Sequence, residues 1–125
     1  MAFAFDGLNV YQRALKVAET INGTAAAFGR NHYVLADELR RSAYRICQQI
    51  VSATARWPKT EQRDGYASAR GAVLEVVPLL ELARRASLLP LELHESLKAE
   101  LEILSKMLLG LVRGSAERTT EARGE

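Results

Sequence analysis

The stretch Leu35–Arg56, LADELRRSAYRICQQIVSATAR, decides the fold. Leu35, Leu39, Ala43, Ile46, Ile50 and Ala53 recur at the spacing that puts side chains on one side of an α-helix. Arg41, Arg45, Gln48, Ser52 and Arg56 fall roughly opposite. The first set reads as a core seam and the second as a basic ladder. A helix with such a seam has to bury it against other helices, so the fold class is all-α and the flanking sequence must supply the partners.

Upstream, Asp6 is placed to cap a first helix over about 7–27. Leu8, Tyr11, Leu15, Ala18 and Ala25 make one apolar face of it, and Val10, Ala14, Val17 and Ile21 another. Gly23 weakens its last turns. Gly29-Arg30-Asn31 marks the corner, with Asn31 as the cap of a second helix over about 32–56. Trp57-Pro58 ends that helix, because a proline ring disfavours helical geometry in the residue before it.

Downstream, Thr60 with Glu61 and Asp64 suits the start of a third helix over about 60–87. Its seam is Tyr66, Ala69, Val73, Val76, Leu80 and Ala83, and Pro78 is expected to bend it without breaking it. Pro90 opens a fourth helix over about 90–113. There Leu93, Leu97, Leu101, Leu104, Leu108 and Leu111 form a continuous seam. From Gly114 the periodicity is lost, and residues 115–125 read as a flexible C-terminal tail. One domain over 1–114 follows: an up-down-up-down antiparallel four-helix bundle.

Composition agrees with this. The chain has 125 residues, 48% hydrophobic and 26% charged, a balance that supports one packed core and excludes a disordered chain. The net charge of +2 is too small to argue for nucleic acid from the total. Distribution says more. Between residues 30 and 70, Arg30, Arg40, Arg41, Arg45, Arg56, Lys59, Arg63 and Arg70 face only Asp37, Glu38, Glu61 and Asp64. The acidic surplus begins at Glu92.

Cys47 is the sole cysteine, so no internal disulfide forms, and its apolar neighbours make it a small buried thiol. MAFAFDGLNVYQ lacks the basic start and apolar run of a signal peptide. No apolar stretch reaches the roughly 18–20 residues that span a bilayer. A cytoplasmic location and no membrane partner are expected.

Residues that carry catalytic chemistry are sparse. His32 and His94 have no carboxylate or cysteine at ligand spacing, and the Glu-x-x-His pattern of di-iron bundles is missing. Both histidines read as surface or capping residues. Gly65 and Gly71 are isolated within a helix and form no phosphate loop. Gly71 reads as a close-packing position between helices, since glycine there costs about 1 kcal/mol against alanine. Ser42, Ser52 and Ser68 have no base alongside. No cofactor, metal, small-molecule substrate or enzymatic activity is expected.

The ladder has two readings. Its arginines form a solvated face paired with Asp37, Glu38 or Glu75, or they form a positive stripe that attracts phosphate. In the second case Arg40, Arg41, Arg45, Arg56, Lys59 and Arg63 are the candidate nucleic-acid residues. Only Tyr44, Trp57 and Tyr66 stand near for stacking, so binding would be salt-sensitive and not sequence-specific. Tyr44, Cys47, Val51 and Ala55 form a further apolar flank on the second helix. Two-sided apolar helices exceed what one bundle buries, so a homo-oligomer with these residues as subunit contacts is expected.

The residues resemble the bacterial four-helix-bundle family of 23S ribosomal RNA intervening-sequence proteins, from Phe5 to about Gly114. FDGLNVYQRAL, LADELRRSAYRI and YASARGAVLEV carry the resemblance. Arg40, Arg41, Arg70, Gly71 and Glu75 stand at the family's Leu-Arg-Arg and Ala-Arg-Gly positions. Gln49-Ile50-Val51-Ser52-Ala53 departs from the family's usual Asn-Ile-Ala-Glu-Gly run, and Val10-Tyr11 from its commoner Val-Trp.

The resemblance implies a ring-like homopentamer and kinship with the accessory variability determinant proteins of diversity-generating retroelements. RNA or DNA and a reverse transcriptase are the partners so implied. The expected function is a non-catalytic oligomeric bundle that binds nucleic acid through a basic helix face as an accessory factor. The alternative is a structural or protein-interaction module with no nucleic-acid role.

Overall fold

In the computed structural model the backbone is described for residues 3–124 and the side chains for 3–114. Four helices account for most of it: α1 (Asn9–Ala26), α2 (Tyr33–Thr54), α3 (Lys59–Arg85) and α4 (Leu91–Gly124). A single 3-10 turn, Arg30–His32, precedes α2, and no strand occurs among the described residues.

The seams meet in one core. Leu39, Ala43, Ile46, Ile50 and Ala53 of α2 are buried, while Leu35 sits half-buried at the margin and Ala36 takes the deeper place. All six residues of the α3 seam are buried, as are Leu97, Leu101, Leu104 and Leu108 of α4. In α1 the inner face is Val10, Ala14, Val17 and Ile21; Leu8, Tyr11 and Leu15 lie half-buried at its edge. Burying a Leu, Ile or Val side chain contributes about 1.5–3 kcal/mol, which is what offsets the entropy of ordering each helix.

Side-chain pairs along α2 and α3 give their sense. Thr54 Oγ1 meets the Tyr66 hydroxyl at 3.0 Å, and a few turns back Arg45 Nη1 meets Glu75 Oε2 at 3.2 Å. As α2 is followed backwards its partner on α3 advances, so the two are antiparallel. Helix α3 packs broadly against α2 and α4, α1 packs against α2, and α1 touches α4 least.

The α2–α3 contact is close at Gly65. A Cβ there would lie 2.7 Å from Ala53 Cβ and 2.8 Å from Ala53 Cα, so the missing side chain is what lets the helices close. Gly71, expected to fill this role, is exposed and nothing stands within 4 Å of its Cβ position. The two glycines lie six residues apart and so point to different sides of α3.

Helix ends differ from expectation where local geometry intervenes. Asp6 does not cap α1: Leu8 occupies that position, and Asp6 Oδ2 instead accepts a hydrogen bond from Phe3 N at 2.7 Å, closing a preceding turn. Asn31 does not cap α2, because it lies inside the 3-10 turn and His32 precedes the helix. Gly29, at φ +85°, makes the corner.

Pro78 leaves α3 continuous. It faces solvent with Leu74, the residue one turn back, so the carbonyl left without its N–H partner can bond water. Helix α4 continues to Gly124, past its expected end near 113. Losing an apolar stripe removes a reason to pack, whereas Ala116, Glu117, Arg118, Glu121 and Ala122 keep the backbone preference. The flexible tail expected over 115–125 lies outside the residues whose side chains are described.

Candidate nucleic-acid interface

Burying the seam of α2 turns Arg41, Arg45, Gln48, Ser52 and Arg56 outward, and all five are exposed. Their partners differ. Arg41 Nε pairs with Asp37 Oδ2 at 3.0 Å, one turn back on the same helix. Arg45 Nη1 reaches across to Glu75 Oε2 of α3 at 3.2 Å. Arg40 leaves the ladder: it is half-buried and its Nε donates to Asn22 Oδ1 of α1 at 3.1 Å, an atom that also accepts from the Tyr44 hydroxyl at 2.9 Å.

The lower end of the ladder is different in kind. Among the described residues the Arg56 side chain has no ion pair or hydrogen bond, and its Cδ lies 3.2 Å from where a Gly65 Cβ would stand. Its stem therefore runs over Gly65 while its charge stays in solvent. Among the described residues Lys59 Nζ touches only Gln62 Oε1, at 3.4 Å, and Arg63 Nε lies 3.6 Å from Asp64 Oδ1. Between Arg56 and Lys59 stands Trp57, 83% exposed, the most exposed large apolar side chain described.

The flank expected to contact other subunits is an apolar groove between α1 and α2. Tyr44 and Cys47 line it with Leu15, Ala18, Glu19 and Asn22, around a volume of about 350 Å³. Val51 is half-buried and Ala55 exposed farther along the same flank. Cys47 is half-buried and not fully enclosed as expected, and that desolvation raises its thiol pKa. A second, polar groove of about 370 Å³ separates α1 from α4, and Arg13 crosses it to Glu100 at 3.2 Å.

Two features escape the sequence reading. Ala67, Gly71, Leu74, Pro78 and Leu82 form an exposed stripe along the outer face of α3, with Leu82 56% exposed. Leu74 and Leu82 could have been found by their position off the core seam. His94 is buried, at 4% exposure, and is neither a surface nor a capping residue. Its spacing to Leu97, Leu101 and Leu108 is the signal, and a seam counted from Leu93 passes beside it.

His94 Nε2 lies 3.3 Å from Glu81 Oε1 without the geometry of a hydrogen bond, and neither ring nitrogen has one. Lys98 Nζ donates to the same Glu81 oxygen at 3.3 Å, and Arg84 approaches Oε2 at 3.5 Å. The Lys98 hydrogen bond, ahead of the nearby charges of His94 and Arg84, holds the Glu81 carboxyl below its ordinary pKa. Among the described residues no three His, Cys, Asp or Glu side chains cluster to hold a metal. No helix among them is long and apolar enough to cross a membrane.

One shared core, four helices and arginines carried on the outside define a small all-α four-helix bundle protein. The family model for 23S rRNA-intervening sequence proteins matches residues 6–110, and the chain belongs to that family. No curated protein matches it.

Proposed function

We propose that this chain is a non-catalytic oligomeric four-helix bundle that binds RNA or DNA, as an accessory factor, through the basic side of α2 and its turn into α3. The supporting observation is that Arg41, Arg45, Arg56 and Lys59 are exposed along α2 and the turn that follows it, with the Arg63 guanidinium at the rim, and none is locked in a buried ion pair. Exposed pairs of this kind contribute roughly 0–1 kcal/mol, so Arg41 and Arg45 can exchange a carboxylate for phosphate at little cost. Among the described residues Arg56 and Lys59 have no carboxylate to give up. The reading is non-catalytic because cations beside an aromatic hold a polyanion and do not by themselves cut it.

Self-association belongs to the same reading. Pairing the Tyr44–Cys47 groove with a second copy would cover apolar surface and repeat the basic side around a symmetry axis. Five copies in a ring, a reverse transcriptase as protein partner and a retroelement setting are what kinship with the accessory variability determinant proteins adds. Fluorescence anisotropy of labelled RNA and DNA tests the reading: binding at low salt should weaken steeply as salt rises, and Arg45→Glu in an intact oligomer should lower affinity. No binding even at low salt refutes it. Light scattering after size exclusion tests assembly, where a clean monomer at micromolar concentration is the refuting result.

A structural or protein-interaction module is the second reading, and a separate observation favours it. Leu74 and Leu82 are exposed on α3, away from the Tyr44 flank, while Arg41 and Arg45 already have acidic partners. Under that reading Leu82→Glu disrupts assembly or partner capture, and Arg56→Glu changes nothing.

A further inference from the structure

The nucleic-acid reading leaves open what kind of strand is held and where. Pairing on the ladder is uneven: the cations in the middle of α2 have acidic partners, and those at its end do not. The end is also where the only tryptophan of the chain stands. Trp57 projects with 83% of its surface in water, and its neighbours Arg56, Pro58, Lys59 and Thr60 are all exposed. A tryptophan kept in water at the turn of a bundle is not contributing to this chain's core.

The surroundings select the partner. A protein docking on Trp57 needs broad apolar surface around the ring, and here only Pro58 adds any, with the cations Arg56 and Lys59 on either side of the pair. The α1–α2 groove, the α1–α4 groove and the hollow at the α3–α4 turn are lined by other residues. Charges on the first turns of α3 are also sorted. Lys59 and Arg63, four apart, share one side of the helix and Glu61 lies on another, while Asp64 stands beside the Arg63 guanidinium. An anionic chain can therefore approach past Lys59 without meeting Glu61 head-on. Arg56 is held for the same approach, because its stem lies over Gly65 and only its guanidinium is free.

We infer that the α2–α3 turn is a single-stranded nucleic-acid contact in which a base stacks on Trp57 and adjacent phosphates meet Arg56 and Lys59. This rests on the nucleic-acid function proposed above and narrows it. A duplex keeps its base faces stacked inside, so it can use the cations but not the ring. A single strand offers both, and stacking of this kind is indifferent to sequence.

Because Trp57 is the sole tryptophan, its fluorescence reports the contact in the unmodified full chain. A short oligothymidylate and a short oligouridylate should quench it on titration, with a midpoint that matches anisotropy of the labelled strand. A duplex of equal length should bind more weakly and leave the emission unchanged. By anisotropy, Trp57→Ala should weaken single-strand binding about 5- to 150-fold, the range found for one stacked base, whereas Trp57→Phe should recover most of it. Arg56→Ala should flatten the slope of log affinity on log salt by about 0.7, the value for one phosphate contact on a single strand. Circular dichroism of each variant confirms the fold.

If anisotropy shows binding but Trp57 emission does not change, or if duplex and single strand bind alike, this inference is overturned while the broader function stands. If neither probe shows binding at low salt, both fall. If vesicles of phosphatidylcholine and phosphatidylserine shift the emission to the blue and oligonucleotides do not quench it, the turn is a membrane contact and the inference is again overturned.

Discussion

Replacing Gly65 by alanine adds a single methyl group at a close contact of α2 and α3. The new Cβ would lie 2.7 Å from Ala53 Cβ and 2.8 Å from Ala53 Cα, and the second of these is backbone that cannot rotate away. The helices must therefore move apart along a contact that holds Ile50, Tyr66 and Ala69 in the core. Overpacking of this kind costs about 1–3 kcal/mol, and a fixed backbone partner argues for the upper half of that range. Against it, alanine gains about 1 kcal/mol in helix preference over glycine. The net loss is about 1–2 kcal/mol, or a fall in Tm of roughly 4–8 °C in a chain of this size.

Gly71→Ala is the matched control, since it adds the same methyl to the same helix with nothing within 4 Å. It should stabilise by up to about 1 kcal/mol. Thermal melts followed by circular dichroism at one fixed protein concentration read both, because the midpoint of an oligomer depends on concentration. Ala53→Gly should cost less in the Gly65→Ala background than in the natural chain, giving a favourable coupling of about 0.5 kcal/mol or more. Equal stability of the two alanine variants, or no coupling between positions 53 and 65, refutes the close-contact argument.

Three further outcomes follow from the structure. The Glu81 carboxyl is held below its ordinary pKa by Lys98 first and then by His94 and Arg84, so its stabilising contribution is present above the unfolded value of about 4.3 and fades as pH falls through the lower folded value. Denaturant melts of Glu81→Gln should thus show a deficit at neutral pH that closes in acid; a gap constant with pH refutes the assignment. Burial of Cys47 should make its alkylation by iodoacetamide at neutral pH far slower in the folded protein than in urea, and equal rates would contradict it. Tyr66→Phe should cost about 1 kcal/mol by chemical denaturation, because it removes the 3.0 Å contact with Thr54 Oγ1 in a half-buried setting. A change smaller than the error of the melt would show that water replaces the bond.

How much was legible varies by residue. The α3 seam was readable in full, since Tyr66, Ala69, Val73, Val76, Leu80 and Ala83 repeat on one side of a helix and all are buried. His94 was not, because its polar side chain broke the apolar pattern in whose register it sits. The candidate interface was legible as a set of cations, and its acidic partners only in part. Asp37 and Glu75 stood among the candidates, and Asp37 is one helical turn from Arg41, but nothing in the spacing of Arg40 tells that it bonds Asn22 of a neighbouring helix, or in that of Arg45 that Glu75 is its partner.

The sequence by itself determined four helices, the face that α2 and α3 bury and the family. Those follow from periodicity, which depends only on the angle between successive side chains along one helix. The tertiary structure alone decided how the helices meet: that Gly65 and not Gly71 lies in the tight α2–α3 contact, that Glu81 gathers Arg84, His94 and Lys98, and that Arg56 is left without an acidic partner beside an exposed Trp57. Those are relations between helices. They depend on the register in which one helix is set against the next, and that register is fixed by packing across the core.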